Sequence, residues 1–242
     1  MDRNLNILAD GCESLGIPLT EKQTEQFLIY YEALIEKNKV MNLTAITDFS
    51  EVMIKHFIDS LTAVKVLDLR EGMRVLDLGT GAGFPGIPLK IVFPDVSFVL
   101  LDSLKKRICF LDEVIEKCGL ERITAVHGRA EELGRKDEYR EQFDVCVSRA
   151  VANLSSLSEY CLPYVKCGGH FISYKSMNVD TEIERARKAI SLLGGTIQDV
   201  VKFQLADQNG ETMERSLVVI HKRKATPARY PRRAGLPSKE PL

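Results

Sequence analysis

The sequence predicts an α/β fold in which a parallel β-sheet lies between layers of helices and ends in an antiparallel hairpin. Between residues 71 and 221, short apolar runs alternate with segments of helical periodicity. Continuous apolar strands separated by helices are typical of a parallel sheet that is covered on both faces. The last two runs instead flank Asn209-Gly210, a strong hairpin signal, so we expect them to pair antiparallel.

A helical extension is predicted before this sheet, over residues 1–70. Apolar side chains recur every three or four residues over 5–15, as on one face of a helix, and Gly16 ends this pattern. Thr20 and Gln23 have the spacing of a capping box that opens a second helix. After that helix we expect a loop over residues 37–47 and a further helix over 52–66.

The sheet and its helices occupy residues 71–221 in this prediction. A parallel sheet closed by an antiparallel hairpin is the usual layout of Rossmann-like class I methyltransferases, whereas an ordinary dinucleotide-binding domain ends on a parallel strand. The predicted strands are residues 75–78, 96–101, 123–126, 143–147, 169–174, 196–205 and 212–221, and the helices between them are 86–92, 104–117, 154–165 and 181–193.

The last zone, residues 222–242, predicts an extended basic arm. It holds seven Lys and Arg residues against one Glu, a net charge of +6, and four prolines. Such a segment is expected to form neither a helix nor part of a core.

Composition excludes several classes of protein. Lys and Arg number 33 and Asp and Glu 34, so the chain is not a globally basic nucleic-acid binder. No apolar run reaches the ~18–20 residues of a membrane span, and residues 1–16 lack the apolar stretch of a secretory signal. The six cysteines form no Cys-x-x-Cys pair and the four histidines are scattered. We therefore expect a cytoplasmic protein without a metal site.

The glycine-rich turn over residues 77–86 is the first chemical signal. Residues 81–86 match G-x-G-x-x-G, the dinucleotide fingerprint. The register differs, however, because Gly79 directly follows the predicted strand and an acid, Asp77, precedes it. An acid suits the ammonium group of a methionine moiety, held directly or through water, better than it suits a pyrophosphate. The turn therefore favours S-adenosylmethionine over NAD, with Asp77, Gly79 and Gly81 as cofactor-binding residues.

Asp102 closes the second predicted strand and is the next candidate. A carboxylate about 20 residues after such a fingerprint can accept hydrogen bonds from the ribose hydroxyls of a nucleoside. Both S-adenosylmethionine and NAD carry such a ribose, and Asp102 could also cap a helix that starts at Ser103. An NAD-dependent oxidoreductase stays open as an alternative, although the sequence holds no Tyr-x-x-x-Lys pair.

Further motifs carry a resemblance that covers nearly the whole chain. General methyltransferases lack the Phe84-Pro85-Gly86 extension of the glycine turn and the segment Tyr230-Pro231-Arg232-Arg233-x-Gly235. With these motifs the chain resembles the bacterial glucose-inhibited division protein B family, the methyltransferases that modify guanine N7 in small-subunit (16S) ribosomal RNA. The other matching motifs are Asn42-Leu43-Thr44-Ala45, His56-Phe57-Ile58-Asp59-Ser60-Leu61, Asp77-Leu78-Gly79-Thr80-Gly81, Leu101-Asp102-Ser103-Leu104, Lys106-Arg107, Gly128-Arg129-Ala130-Glu131 and Ser148-Arg149-Ala150.

The resemblance implies S-adenosylmethionine as cofactor and 16S ribosomal RNA, or the small ribosomal subunit, as partner. The family's cofactor contacts fall on Gly79, Phe84, Ala130, Glu131 and Arg149 of this sequence. Ligands of open parallel sheets bind at the carboxyl ends of the strands, where these residues are placed. We expect a monomer that makes no membrane contact. The predicted cofactor site is therefore Asp77, Gly79, Gly81, Phe84, Asp102, Ser103, Ala130, Glu131 and Arg149.

The expected reaction needs no catalytic acid or base. Exocyclic-amine methyltransferases commonly carry an Asn/Asp-Pro-Pro-aromatic loop after the fourth strand, where this chain has Ser148-Arg149-Ala150-Val151. Pyrimidine C5 enzymes need a cysteine nucleophile that commonly follows proline, and none of the nine prolines of this sequence precedes a cysteine. Guanine N7 has a free lone pair and no proton to remove, so alignment with the sulfonium methyl and exclusion of water suffice. We expect Arg149 to orient a phosphate or the cofactor. The roles of Asn42, His56 and Asp59 stay open.

RNA contacts are expected in the basic arm. The residues outside 222–242 carry about −7, so the body of the protein should repel RNA. Because neutralised phosphates are the main source of nucleic-acid affinity, we expect Arg232 and Arg233 to bind RNA rather than the cofactor. Two alternatives stay open for the arm: it is a solvated tail that only aids solubility, or Tyr230 and Pro231 pin it against the sheet as structure. For the whole protein, a non-catalytic RNA-binding module is a further alternative.

Overall fold

A computed structural model describes residues 6–149, 152–176, 179–207 and 210–242 of the 242-residue chain. The strands are Arg74–Leu78 (β1), Ser97–Asp102 (β2), Ile123–His127 (β3), Phe143–Arg149 (β4), Val165–Ser176 (β5), Gly195–Ala206 (β6) and Thr212–Lys222 (β7). They form one sheet in the order β3-β2-β1-β4-β5-β7-β6. Neighbours from β3 to β5 run parallel, whereas β7 pairs antiparallel with both β5 and β6. The predicted fold class is confirmed.

The strand order brings the candidate residues to one edge of the sheet. β2 and β3 lie on one side of β1, whereas β4 and β5 lie on the other. The connections after β1 and β4 therefore diverge and open a crevice at the carboxyl ends of these strands, where such sheets bind ligands. Gly79 directly follows β1, Asp102 ends β2 and Arg149 ends β4.

Helices cover both faces of the sheet. They are Asn6–Ser14 (α1), Glu21–Met41 (α2), Phe49–Val52 (α3), Asp59–Leu61 (α4), Gly86–Val92 (α5), Lys105–Lys117 (α6), Ala130–Leu133 (α7), Leu154–Cys161 (α8), Val179–Leu192 (α9) and Leu236–Lys239 (α10). Val75 and Leu76 of β1 are both buried but belong to separate apolar clusters, because successive strand residues point to opposite faces. The first cluster contains α5, α6 and the N-terminal helices, and the second contains α8 and α9.

The N-terminal helices end and bend at places that differ from the prediction. The predicted capping box is present, with Thr20 N donating to Gln23 Oε1 at 2.9 Å and Gln23 N to Thr20 Oγ1 at 3.3 Å. The loop expected from residue 37 is wrong at its start, because α2 continues to Met41 and Lys37 Nζ contacts Glu113 Oε2 at 2.8 Å. The helix expected over 52–66 is also wrong as one element. It is divided by a π-helix at Met53–Ile58 and a 3₁₀ turn at Thr62–Lys65.

The expectation that residues 222–242 form neither a helix nor part of a core is wrong. Tyr230 is 6% exposed and belongs to the second apolar cluster, and the segment contains α10. The Lys222 side chain is fully buried, and its ammonium donates to Leu162 O at 2.5 Å and to Thr226 Oγ1 at 2.6 Å. The net charge of the segment could not predict this, because it does not show which basic side chains find buried partners in the rest of the protein.

Several predicted details fall at the limits of the described residues. Leu5 of the predicted first helix, Asn209 of the predicted turn, and Ala150 and Val151 after β4 lie outside them. The helix expected over 154–165 ends earlier than predicted, because a 3₁₀ turn follows α8 and β5 already begins at its last residue. Among the described helices, none combines the length and apolar character that crossing a bilayer requires.

Candidate functional site

Two adjoining cavities lie at the carboxyl ends of the central strands. The larger measures about 670 Å³ and the smaller about 380 Å³. Gly79 and Arg107 line both, so the glycine turn stands between them. Every predicted cofactor residue except Asp77 lines one of these cavities. Gly79, Gly81, Phe84 and Arg149 line the larger, and Gly79, Asp102, Ser103, Ala130 and Glu131 line the smaller.

The glycine turn is tied to β2 and leaves its backbone open to ligands. Gly79 and Gly81 have φ angles of 73° and 63°, in the left-handed region that favours glycine. Gly79 N donates to Leu101 O at 2.8 Å and Gly81 N to Asp102 Oδ2 at 3.0 Å. A Cβ atom added to Gly81 would come no closer than 4.0 Å to its nearest neighbour, Gly79 O. A ligand can therefore approach the main chain at this point.

Asp77 lies beneath the glycine turn. Its Oδ2 accepts hydrogen bonds from Thr80 Oγ1 at 2.6 Å and from Gly86 N at 2.8 Å, whereas its Oδ1 is buried without a partner. Burial raises the pKa of this carboxyl to about 7, although the two hydrogen bonds and nearby Arg149 oppose the shift. Asp77 thus holds the turn and the start of α5 together. Its predicted contact with a methionine ammonium stays a prediction.

Asp102 presents a nearly buried carboxylate to the smaller cavity. It is 3% exposed and accepts hydrogen bonds from Leu104 N at 2.9 Å, Gly81 N at 3.0 Å and Arg107 Nη1 at 3.1 Å. A carboxylate offers about four acceptor positions, so one is left for a ligand. The Arg107 side chain is 35% exposed and can yield a second position by moving into solvent. The bond from Leu104 N is a local turn contact rather than the predicted helix cap, because α6 begins at Lys105 and its N-cap, Leu104, receives no side-chain capping bond.

Glu131 supplies a second carboxylate to the smaller cavity, and the C-terminal segment holds it. Glu131 Oε1 accepts a hydrogen bond from Gly235 N at 2.7 Å. Gly235 and Ser238 line the cavity, as does Tyr160 of α8. Sequence reasoning did not assign these three residues to the site. Gly235 belongs to the Tyr230-Pro231-Arg232-Arg233-x-Gly235 motif, which was the available signal.

The larger cavity is built around the Phe84 ring. The His56 ring stacks on Phe84 with the centroids 4.6 Å apart, and the Arg149 guanidinium lies 5.0 Å from the Phe84 centroid. Phe84 also packs against Tyr30 of α2, whose hydroxyl donates to Ala82 O at 2.6 Å. The N-terminal helices therefore fix the side of the glycine turn that faces the larger cavity.

Asp59 joins two arginines at the wall of the larger cavity. Arg149 Nη1 donates to Asp59 Oδ2 at 2.9 Å, and Arg215 Nε of β7 donates to Asp59 Oδ1 at 3.0 Å. The side chains of Asp59 and Arg149 are only 7% and 14% exposed. Sequence reasoning did not find Arg215, because no motif relates it to Asp59. The basic residues lining this cavity are Lys55, Arg107, Arg149, Lys175 and Arg215, against the acids Asp59 and Glu182.

His56 is uncharged at neutral pH. Burial, together with the nearby Arg149 charge, lowers the pKa of this imidazole to about 4. Its Nε2 shares a hydrogen bond with Thr44 Oγ1 at 2.7 Å. An imidazole whose pKa lies near 4 is poorly suited to protonating a substrate at neutral pH, since the most effective general acids titrate near the working pH.

Arg232 and Arg233, the predicted RNA contacts, line neither cavity. Arg232 instead forms an ion pair with Glu159 of α8, and Arg233 is exposed. Their role in RNA binding stays a prediction. Within the ranges that the structure covers, no cluster of three or more His, Cys, Asp or Glu side chains could hold a metal ion.

Comparisons with known proteins bear on this site. Residues 23–211 match the model of the GidB family, described as rRNA small subunit methyltransferase G. A relative named ribosomal RNA small subunit methyltransferase G, from Lachnoclostridium phytofermentans, is 54% identical over 240 residues, which are 99% of this chain and 98% of the relative. A protein of the same name from Desulforamulus reducens is 53% identical over 235 residues and 97% of each chain.

Solved structures show the same fold at low sequence identity. Precorrin-6y C5,15-methyltransferase from Geobacter metallireducens matches with a TM-score of 0.53 at 16% identity, over 69% of this chain and 88% of that chain. TYW2 from M. jannaschii, solved in complex with AdoMet, matches with a TM-score of 0.51 at 15% identity, over 64% of this chain and 71% of that chain. These likenesses support a Rossmann-like methyltransferase fold.

Proposed function

The chain belongs to the GidB family, and from this membership we propose that it transfers a methyl group from S-adenosylmethionine to guanine N7 of 16S ribosomal RNA. The observation that carries the proposal is the pair of cavities that meet at Gly79. Direct methyl transfer needs the donor and the acceptor side by side, and these cavities provide two neighbouring compartments. The names of the family and of its full-length relatives support ribosomal RNA as the substrate.

The residues present fit S-adenosylmethionine. The carboxylates of Asp102 and Glu131 would accept hydrogen bonds from its hydroxyl and amino groups in the smaller cavity. The bare backbone of Gly79 and Gly81 would let the sulfur reach the junction with the larger cavity. The bound cofactor supplies a methyl group on a positively charged sulfur. Asp77 supports the glycine turn through its bonds to Thr80 and Gly86, and it would hold the methionine ammonium either directly or through water.

The larger cavity suits the target base and its phosphates. Phe84 and Tyr174 give it apolar surface, and its lining carries five basic residues against two acids. The Arg149 charge is shared with Asp59, and His56 is uncharged, so neither places an uncompensated positive charge near a purine that becomes cationic. Lys55, Lys175 and Arg215 form ion pairs with Glu51, Glu182 and Asp59, and they are the groups that would contact RNA phosphates by exchanging or sharing these partners.

No residue is required to remove a proton. N7 would attack the methyl carbon with its own lone pair while the methyl–sulfur bond breaks and its electron pair returns to sulfur, which leaves neutral S-adenosylhomocysteine and a cationic guanine. The protein then has to align the base with the methyl group and exclude water. Correct placement alone can supply about 7–11 kcal/mol of a reaction barrier. The packed wall of Phe84, His56 and Arg149 provides a surface for this placement.

A methyl-transfer assay tests this proposal. The purified protein is incubated with labelled S-adenosylmethionine and with 16S RNA, either naked or in the small subunit. We expect label in the RNA and a site that borohydride and aniline cleave, because that treatment detects the cationic base. Label without a cleavable site would mean transfer to carbon or to an exocyclic amine and would contradict the N7 assignment.

Two further measurements separate the alternatives. Titration with NAD and with S-adenosylmethionine distinguishes an oxidoreductase from a methyltransferase, and we expect binding of the second only. RNA binding without methyl transfer would instead indicate a non-catalytic RNA-binding module. We also propose that the protein acts as a monomer in the cytoplasm, since one chain lines both cavities. Sedimentation of the purified protein measures its oligomeric state.

A further inference from the structure

We propose that the C-terminal segment, residues 222–242, is a built-in wall of the smaller cavity, and that Arg232 is a positioning residue for cofactor binding. This inference rests on the proposed function, because it assigns the smaller cavity to the nucleoside part of S-adenosylmethionine. It gives Arg232 a role inside the protein in place of the RNA contact that charge alone suggests.

The Arg232–Glu159 pair anchors the segment. Glu159 of α8 is fully buried, and all its described hydrogen bonds come from Arg232. Arg232 N and Nε donate to Glu159 Oε1 at 2.7 and 2.9 Å, and Arg232 Nη2 donates to Glu159 Oε2 at 2.7 Å. A buried carboxylate needs such a partner, because an uncompensated charge away from water is strongly unfavourable. Arg232 is thus committed to α8.

Further bonds hold the rest of the segment against the same helix. Ser156 Oγ donates to Pro237 O at 2.6 Å, and Ser155 Oγ donates to Leu242 O at 3.0 Å. Arg232 Nη2 also donates to Glu240 O at 2.7 Å, which ties the two ends of the stretch 232–240 together. These contacts fix the path of the chain on both sides of Gly235.

The anchored path delivers Gly235 and Ser238 to the smaller cavity. Gly235 has a φ of 82°, a conformation that favours glycine, and its N–H donates to Glu131 Oε1 at 2.7 Å. Glu131 is only 7% exposed, so this bond sets how its carboxylate faces the ligand. Losing the Arg232–Glu159 anchor would loosen the chain on the N-terminal side of Gly235 and weaken its hold on Glu131, while Pro237 and Leu242 keep their bonds to α8. A less organised site binds its ligand more weakly.

Adjacent arginines provide a matched pair of variants. Arg232→Ala and Arg233→Ala each remove one positive charge, but only Arg232 is bound to α8. Calorimetry with S-adenosylhomocysteine, the demethylated product, measures affinity without turnover. We expect Arg232→Ala to raise the Kd by about tenfold, whereas Arg233→Ala changes it by less than about twofold. Arg232→Lys should recover part of the affinity. At saturating cofactor, kcat of Arg232→Ala should stay within about threefold of wild type.

Ser238→Trp tests the wall without touching the anchor. Ser238 is exposed at the rim of the smaller cavity, and a bulky ring there should obstruct the ligand while the melting temperature stays unchanged. We expect at least about tenfold weaker binding. Unchanged affinity in this variant, or in a folded Arg232→Ala protein, overturns the inference while the proposed function stands. Failure of the wild-type protein to bind S-adenosylhomocysteine overturns the proposed function as well.

Discussion

The two ends of the chain build different cavities. The N-terminal extension supplies Lys55, His56 and Asp59 to the larger cavity, whereas the C-terminal segment supplies Gly235 and Ser238 to the smaller. The sheet contributes the glycine turn that both cavities share. The N-terminal residues bring charge and an aromatic contact, but the C-terminal residues bring backbone that orients Glu131. Segments appended to a common fold can therefore shape a cavity either through their side chains or through the path of their backbone.

Asp59→Ala, in the N-terminal extension, should have the largest effect, a loss of folding stability. The change leaves the guanidinium groups of Arg149 and Arg215 without their shared carboxylate. Removing one partner of a buried ion pair costs about 3–5 kcal/mol, and we expect the lower end because Arg215 is 23% exposed. Chemical denaturation measures the free energy of unfolding.

A surface pair provides the control for that variant. Asp68 and Arg70 also form an ion pair, but their side chains are 72% and 75% exposed. Asp68→Ala should change the free energy of unfolding by less than about 1 kcal/mol. Equal small losses in the two variants would mean that Asp59 does not organise the larger cavity.

Asp102→Ala should weaken cofactor binding in the smaller cavity. Hydrogen bonds to charged groups contribute about 1.5–3 kcal/mol each, so we expect at least a tenfold loss of S-adenosylmethionine affinity by calorimetry. Asp95→Ala, which removes an exposed acid, is the control and should bind normally. An intact Asp102→Ala protein with wild-type affinity would show that this carboxylate does not hold the ribose.

Asp77 lies under the glycine turn that both cavities share, and Asp77→Asn should change how the stability of the protein depends on pH. Burial raises the pKa of Asp77 to about 7 in the folded protein, above its ordinary value of 3.8. The folded state therefore binds this proton more tightly than the unfolded state, and Asp77 makes the wild type progressively less stable from about pH 4 to pH 7. Above that range the loss is complete.

The amide cannot titrate, so the Asp77→Asn protein should lack this decline. Denaturation of both proteins between pH 4 and pH 8 measures it. We expect the stability of the variant relative to wild type to improve as the pH rises. Parallel pH profiles would show that Asp77 has an ordinary pKa in the folded protein.

Arg233→Ala should have the smallest effect and tests whether the C-terminal segment also contacts RNA. Arg233 is exposed and lines neither cavity. If it neutralises one phosphate, its loss should lower the slope of log affinity against log salt by about 0.7–0.9. RNA binding across a salt series measures this slope. Arg187→Ala, an exposed arginine of α9, is the control. An unchanged slope would mean that Arg233 neutralises no phosphate.

Much of the fold follows from local patterns. The alternation of apolar runs and helical periodicity was sufficient to predict the α/β sheet, because each strand and helix carries its pattern in a few consecutive residues. The glycine turn and Asp102 were found for the same reason, since both lie directly at strand ends. The π-helix at Met53–Ile58 and the 3₁₀ turn at Thr62–Lys65 were not predicted, because residues 52–66 contain no Gly or Pro that would signal a break in a helix.

Partners far apart in the chain were decided only by the tertiary structure. Asp59 meets Arg215 across 156 positions, and Gly235 meets Glu131 across 104. No spacing rule relates such residues, because long-range contacts depend on how whole elements pack. The sequence alone establishes that residues 222–242 are basic and rich in proline. Whether an arginine in that segment faces solvent or a buried carboxylate depends on where Glu159 lies, and only the packed structure places Glu159 beside Arg232.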